Sequence, residues 1–195
     1  MRVVFLGPPG SGKGTQAKLL AERLKVPAIS TGDILRAAVR ERTPLGLQAQ
    51  AIMEKGELVS DALIVALIRD RIAERDARDG FILDGFPRTL EQGRAFDTML
   101  AEGGESLSAV VNFEVPEAVL VERMLGRAKA EGRADDRPET IRERLRVYRE
   151  KTEPLAGFYR EKGVLADVNG VGAVADVAAR LDEALASVRR AGGAA

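Results

Sequence analysis

The stretch Met1-Arg-Val-Val-Phe-Leu-Gly-Pro-Pro-Gly-Ser-Gly-Lys-Gly-Thr-Gln-Ala-Lys-Leu-Leu-Ala-Glu-Arg-Leu24 decides how this chain is read. Residues 1–6 form an apolar β run. Residues 7–15 form a glycine-rich loop with one lysine, and residues 16–24 continue with helical spacing. Strand, glycine loop and helix in that order make a phosphate-binding P-loop in its confirming context. Glycines let successive backbone N–H groups turn inward around a polyphosphate without Cβ clashes. The positive end of the following helix adds to the attraction, and Lys13 supplies a mobile cation for the outer phosphates. In the general motif the lysine is followed by Ser or Thr, whose hydroxyl binds magnesium. Here Gly14 takes that place and the hydroxyl comes one residue later, at Thr15.

Working outward, short β runs alternate with helical patterns. Strands are predicted at Arg2–Leu6, Ala28–Ser30, Gly80–Asp84, Ala109–Glu114 and Val164–Val168. Helical segments fall near 13–25, 33–41, 45–55, 61–78, 90–102, 117–130, 138–161 and 173–189. This alternation predicts an α/β fold, a five-stranded parallel sheet with helices on both faces. Ser60 reads as an N-cap, Pro116 as a helix start, and Asp136 with Glu139 as a capping box. Ala191–Ala195 reads as a frayed tail. In segment 138–161, Ile141, Leu145 and Tyr148 share one apolar stripe. Arg144 sits at the edge of that stripe, facing a cleft, while Arg142, Arg146 and Arg149 turn to solvent.

Composition narrows the function classes. The chain has 195 residues, 45% of them hydrophobic, enough for one substantial core with a small insertion. Thirty basic residues balance thirty acidic ones, so no bulk charge points to nucleic acid or membrane. Without cysteine there is no disulfide, thiolate nucleophile or cysteine zinc site; without histidine there is no imidazole acid–base chemistry or ligation. Residues 1–6 are too short for a signal peptide and no run of about eighteen apolar residues occurs, so a soluble cytoplasmic protein is expected.

Four further segments carry chemistry: Ser30-Thr-Gly-Asp-Ile-Leu-Arg36, Glu57-Leu-Val59, Asp84-Gly-Phe-Pro-Arg-Thr-Leu-Glu-Gln92, and the arginines 123, 127, 133 and 144 with Asp135-Asp136. Together with the P-loop, whose Gly-Lys-Gly-Thr ending differs from that of the GTPases, they resemble the adenylate kinases over nearly the full length. That resemblance implies a P-loop NTPase three-layer fold with a helical NMP-binding insertion and a short lid. Its core would comprise 1–29, 60–126 and 133–195, its AMP-binding domain 30–59 and its lid 127–132. It implies reversible transfer of the terminal phosphoryl group of Mg-ATP to AMP, giving two ADP, by a monomer.

The residue roles follow from the same resemblance. Gly10, Ser11, Gly12, Lys13, Gly14 and Thr15 would hold the ATP phosphates. Arg127 would stack on the ATP adenine, and Gly172 would offer it a backbone contact. Thr31, Arg36, Glu57, Leu58, Val59, Gly85, Phe86, Pro87, Arg88 and Gln92 would form the AMP site, with the Gln92 amide reading the base. Lys13, Arg88, Arg123, Arg133 and Arg144 would form the catalytic clamp, the last two also touching AMP. Asp84 and Asp33 would meet magnesium only through water, with no direct protein ligand and no zinc.

Physically, two polyanions must be brought end to end, and arginine forks neutralise and align them. The AMP phosphate is already an ionised nucleophile, so no general base is needed. Plainer roles stand beside these. Gln92 can close a capping box with Thr89, Thr31 can cap a helix, Asp84 can be a turn acid, and Arg123 and Arg127 can pair with Glu122 and Glu131. Another monophosphate kinase, acting on UMP/CMP or GMP, is the alternative substrate reading, and a non-catalytic P-loop switch the alternative class. Five residues between Arg127 and Arg133 leave no room for a long folded lid.

Overall fold

Val3 and Phe5 pack on one side of the first strand and Val4 and Leu6 on the other, and all four are buried. A strand apolar on both faces belongs in the middle of a sheet covered on both sides. The computed structural model, which describes residues 1–192, places it there.

In chain order the elements begin β1 (Arg2–Leu6), α1 (Lys13–Leu24), β2 (Ala28–Ser30), α2 (Thr31–Arg40), α3 (Pro44–Glu54) and α4 (Asp61–Ile72). They continue with β3 (Phe81–Asp84), α5 (Leu90–Glu102), β4 (Ala109–Glu114), α6 (Glu117–Glu131), α7 (Pro138–Val147), α8 (Pro154–Glu161), β5 (Leu165–Asn169) and α9 (Val174–Gly192). The sheet is entirely parallel in the order β2-β3-β1-β4-β5. Val3, Phe5, Ile82, Val111 and Phe113 pack against α1 and α9. Val4, Leu6, Ile29, Leu83 and Val110 pack against α4, α5 and α8. The three-layer α/β expectation holds, and it aims the carboxyl ends of all five strands at one edge, where such folds bind ligands. No helix among the described residues is long and apolar enough to cross a membrane.

Several boundaries differ from the sequence reading. Ser30 rather than Thr31 caps α2, accepting from the Asp33 N–H, so the helix starts two residues earlier than 33. Ser60 stands at the N-cap of α4 but makes no side-chain cap bond. The predicted 61–78 helix stops at Ile72, and Arg75–Ala77 forms a separate 3₁₀ turn in which Asp76 holds Arg71. The 138–161 segment is interrupted. Tyr148–Thr152 forms a π turn, and Pro154, which lacks an N–H, opens α8. No Asp136–Glu139 capping box forms at α7, because the Asp136 carboxylate is engaged by arginines. Of the predicted tail, residues 191 and 192 continue α9, and 193–195 lie outside the described residues.

Residues 31–54 form a helical pair projecting from the sheet, with Thr43 capping α3. Its close approach depends on Gly46, where a Cβ would stand 2.0 Å from the Ala38 carbonyl oxygen. The pair also touches α7: Thr140 Oγ1 donates to the Glu54 carbonyl at 3.0 Å.

Candidate active site

A cleft of about 500 Å³ opens at the carboxyl edge of the sheet. Its floor is the P-loop. Gly12, with φ 93°, stands at the N-cap of α1 without a side-chain cap, and no acid occupies the helix's first turn. The first N–H groups of α1 are therefore left available to an anion. Gly10, with φ 84°, lies against α6, where a Cβ would meet the Leu120 carbonyl oxygen at 2.9 Å. Lys13 Nζ donates to the carbonyls of Gly7 at 2.7 Å and Pro8 at 2.9 Å and to Ser11 Oγ at 3.3 Å. A Cβ on Gly14 would stand 3.3 Å from Asp84 Oδ2, so the missing side chain lets the β3 carboxylate approach the loop.

A second wall comes from β2, α2 and the segment after β3. The Gly85 carbonyl accepts from Thr31 Oγ1 at 2.7 Å and from Arg88 Nε at 2.8 Å. Arg88 is pinned along its backbone as well. Its N–H donates to Gln92 Oε1 at 2.7 Å, and its carbonyl accepts from Thr152 Oγ1 at 2.8 Å. Thr89 does cap α5, accepting from the Gln92 N–H, but the Gln92 amide serves Arg88 and Asp61 instead of closing a box. Leu58, Val59 and Glu57 line the same wall.

The third wall carries arginines from α6, α7 and the turn between them. Asp136, 1% exposed, accepts two bonds from Arg127 at 2.7 and 2.9 Å and one from Arg144 at 2.5 Å. Arg127 thus pairs with Asp136 rather than with Glu122 or Glu131. Arg133 donates to Glu131 at 2.6 Å, and Arg36 reaches across from α2 with Asp33 at 2.6 Å and Asp135 at 3.6 Å. As predicted, Arg144 faces the cleft while Arg146 and Arg149 make exposed surface pairs.

The structure therefore gathers the P-loop residues, both aspartates, Thr31, Arg36, Glu57–Val59, Gly85, Pro87, Arg88, Gln92, Arg127, Arg133 and Arg144 around one space. Three predicted site residues stand apart. Phe86 is fully buried against Phe96. Arg123 donates to the Gly170 carbonyl at 3.1 Å, with its other arm 4.0 Å from a Cβ on Gly12. Gly172, at φ 116°, lies near Asp176 and Arg180 beyond the cleft lining. Reading the sequence missed Tyr148 and Thr152, which line the cleft, and Asp61, which holds Thr89 and Gln92 from outside it. Asp61 sits one place past the presumed Ser60 cap, and Thr152 lies in a π turn that no periodicity announces.

The sequence profile described as Adenylate kinase matches residues 5–164. The chain belongs to the adenylate kinase family. It is 54% identical over 185 residues to the adenylate kinase of Xylella fastidiosa (strain M12), covering 95% of this chain and 99% of that one. The adenylate kinase of Xanthomonas campestris pv. campestris (strain 8004) is 51% identical over the same span and coverage. That of Leptospira biflexa serovar Patoc is 51% identical over 176 residues, 90% of this chain and 95% of the relative. Adenylate kinases are phosphotransferases, and the electrostatics of this cleft suit that chemistry. Burial pushes the Lys13 ammonium down to about 8, with Asp84 opposing and Arg88, Arg144 and Arg127 adding to the fall. Burial also lowers Arg88 to about 10, with Arg144 contributing, and depresses Arg144 in the same way. At Arg127 burial pulls the other way, but the bond to Asp136 and the attraction of Asp136, Asp135 and Glu131 together outweigh it, and the pKa is raised. The adenylate kinase cleft is thus a concentrated positive field held by a few carboxylates. Among the described residues no group of three or more His, Cys, Asp or Glu is placed to hold a metal.

Proposed function

We propose that this adenylate kinase binds ATP over the P-loop and AMP against the Thr31–Gln92 wall, so that the two phosphate chains meet among Lys13, Arg88, Arg133 and Arg144. The observation that carries the reading is the convergence of these cations, with Arg36 and Arg127, on one cleft. Phosphoryl transfer to AMP then needs positioning and charge neutralisation, and the products are two ADP. Arginine forks hold phosphate oxygens bidentately and stay charged throughout. Arg123 reaches the ATP phosphates over Gly12. Arg127 meets the ATP adenine, and the backbone at Gly172 borders it. Packing of Gly170 beside Ser11, where a Cβ would be 3.2 Å from the Ser11 carbonyl oxygen, supports placing that loop next to ATP.

Magnesium fits the chemistry of this wall. Asp84 beside Gly14 and the Thr15 hydroxyl offer oxygen donors next to the P-loop, and Asp33 lies across the cleft. Mg²⁺ takes such oxygens largely through retained waters. When bound with ATP it neutralises phosphate charge. Residues 30–59 act as the AMP-binding domain and 127–132 as a short lid, the first bringing Arg36 toward the phosphates and the second Arg127 toward the ATP adenine as each closes. The enzyme works as a cytoplasmic monomer.

A coupled assay with ATP and AMP, UMP, CMP or GMP in turn tests this reading. AMP is expected to give by far the highest initial rate. Equal rates on another monophosphate would overturn the assignment of Thr31 and Gln92 to the adenine site.

A further inference from the structure

The amide assigned to the base is itself held by a residue outside the cleft. Gln92 Oε1 accepts from the Arg88 N–H at 2.7 Å, and its Nε2 donates to Asp61 Oδ1 at 2.7 Å. The other Asp61 oxygen accepts from Thr89 Oγ1 at 3.0 Å, and Thr89 Oγ1 in turn accepts from the Gln92 N–H at 3.1 Å. Asp61 is the first residue of α4 and faces a separate hollow bordered by Leu58, Ser60 and Leu90. It does not line the nucleotide cleft.

A carboxamide keeps its shape when turned over, exchanging oxygen for nitrogen. At Gln92 the turned-over form would set an NH₂ against the Arg88 N–H and an oxygen against a carboxylate oxygen. Both contacts are repulsive, and Gln92 is 2% exposed, so water cannot relieve them. One orientation survives. It leaves one lone pair on Oε1 and one hydrogen on Nε2 for a partner.

We propose that Asp61 is a specificity-determining positioning residue, which fixes the orientation of the Gln92 amide and through it the choice of a 6-amino over a 6-oxo purine monophosphate. The inference rests on the reading of Gln92 as the base contact. Adenine presents an N6 donor beside the N1 acceptor. Hypoxanthine and guanine present an O6 acceptor beside an N1 donor, the reverse order. A fixed amide matches one order, and a freely turning amide accommodates either.

Acceptor kinetics with AMP and IMP test this on wild type, Asp61→Ala, Asp61→Asn and Gln92→Ala. Asp61→Ala is expected to raise the KM for AMP about tenfold and to cut the AMP:IMP ratio of kcat/KM about tenfold, with the KM for ATP unmoved. Asp61→Asn keeps a carbonyl for Gln92 Nε2 and an NH₂ for Thr89, so it retains the ratio to within about threefold. Gln92→Ala abolishes the preference. A helix-end role for Asp61 would alter stability but not base choice, so the ratio is the diagnostic readout. If Asp61→Ala keeps the ratio while Gln92→Ala loses it, the proposal falls and the adenine reading stands. If Gln92→Ala keeps it, both fall. If Asp61→Asn drops as far as Asp61→Ala, charge rather than amide orientation is responsible, and the proposal is overturned.

Discussion

Lys13→Met is expected to stabilise the fold while abolishing catalysis. Burial among Arg88, Arg144 and Arg127 takes the Lys13 pKa from 10.5 to about 8. At about 1.36 kcal/mol per unit, holding the protonated side chain there costs up to about 3 kcal/mol at pH 7. Methionine fills similar space without charge. Against the gain stand the bonds to Gly7, Pro8 and Ser11, each contributing roughly 1 kcal/mol or less. The net expectation is about 1 kcal/mol of added stability at pH 7, a rise in Tm of about 3 °C for a chain of this size.

The pH dependence gives a second handle. The folded pKa lies below the unfolded one, so between about 8 and 10.5 the unfolded chain binds more protons and Lys13 makes stability rise with pH. The advantage of Lys13→Met should therefore shrink across that window, vanish near about pH 9 and turn into a disadvantage of about 1 kcal/mol at about pH 10. Urea unfolding of both proteins without nucleotide at pH 7, 8, 9 and 10 reads this difference directly. The coupled assay should show kcat/KM reduced by at least about 10²–10³. A variant less stable than wild type at pH 7, or an offset independent of pH, would refute the claim that Lys13 is held at an electrostatic cost.

Arg88→Ala should lower kcat/KM by about 10²–10³, and Arg88→Lys should recover little, because an ammonium lacks the two-pronged fork; steady-state rates on folded protein decide it. Gly46→Ala should destabilise by about 3 kcal/mol or more in urea unfolding, since the added Cβ lands 2.0 Å from the Ala38 oxygen, and an unchanged midpoint would contradict that close approach. Chelation of divalent cations should stop turnover and leave the circular-dichroism melting curve unchanged, with Mg²⁺ restoring activity; a loss of folded signal on chelation would instead reveal a structural metal.

Much of this architecture can be read in local pattern. The P-loop is contiguous, so its chemistry and its strand–loop–helix geometry appear together in residues 1–24. The five strands stand out because each is a short apolar run bounded by turns. What stayed hidden depends on partners distant in sequence. Asp136 resembles a cap acid until Arg127 and Arg144 are seen converging on it. Thr31 resembles a cap until its hydroxyl is found on the Gly85 carbonyl, 54 residues away. The π turn at Tyr148–Thr152 breaks a helical pattern that the apolar stripe alone would have carried through. Asp61 gave no signal because its partners, Thr89 and Gln92, lie far along the chain.

The central place of β1 also shapes how this protein is made. On the ribosome β1 is synthesised well before either neighbour, yet in the finished sheet it lies between β3, which ends at Asp84, and β4, which ends at Glu114. At about 5–20 residues per second, roughly 4–16 s pass before even the nearer partner is complete. Throughout that interval Val3, Val4 and Phe5 are without the neighbouring strands that later flank them. Nascent chains stalled in this window are therefore the form most in need of chaperone protection. Slower codons upstream of β3 would prolong that exposure, whereas slower codons after β4, with the three inner strands already joined, would not.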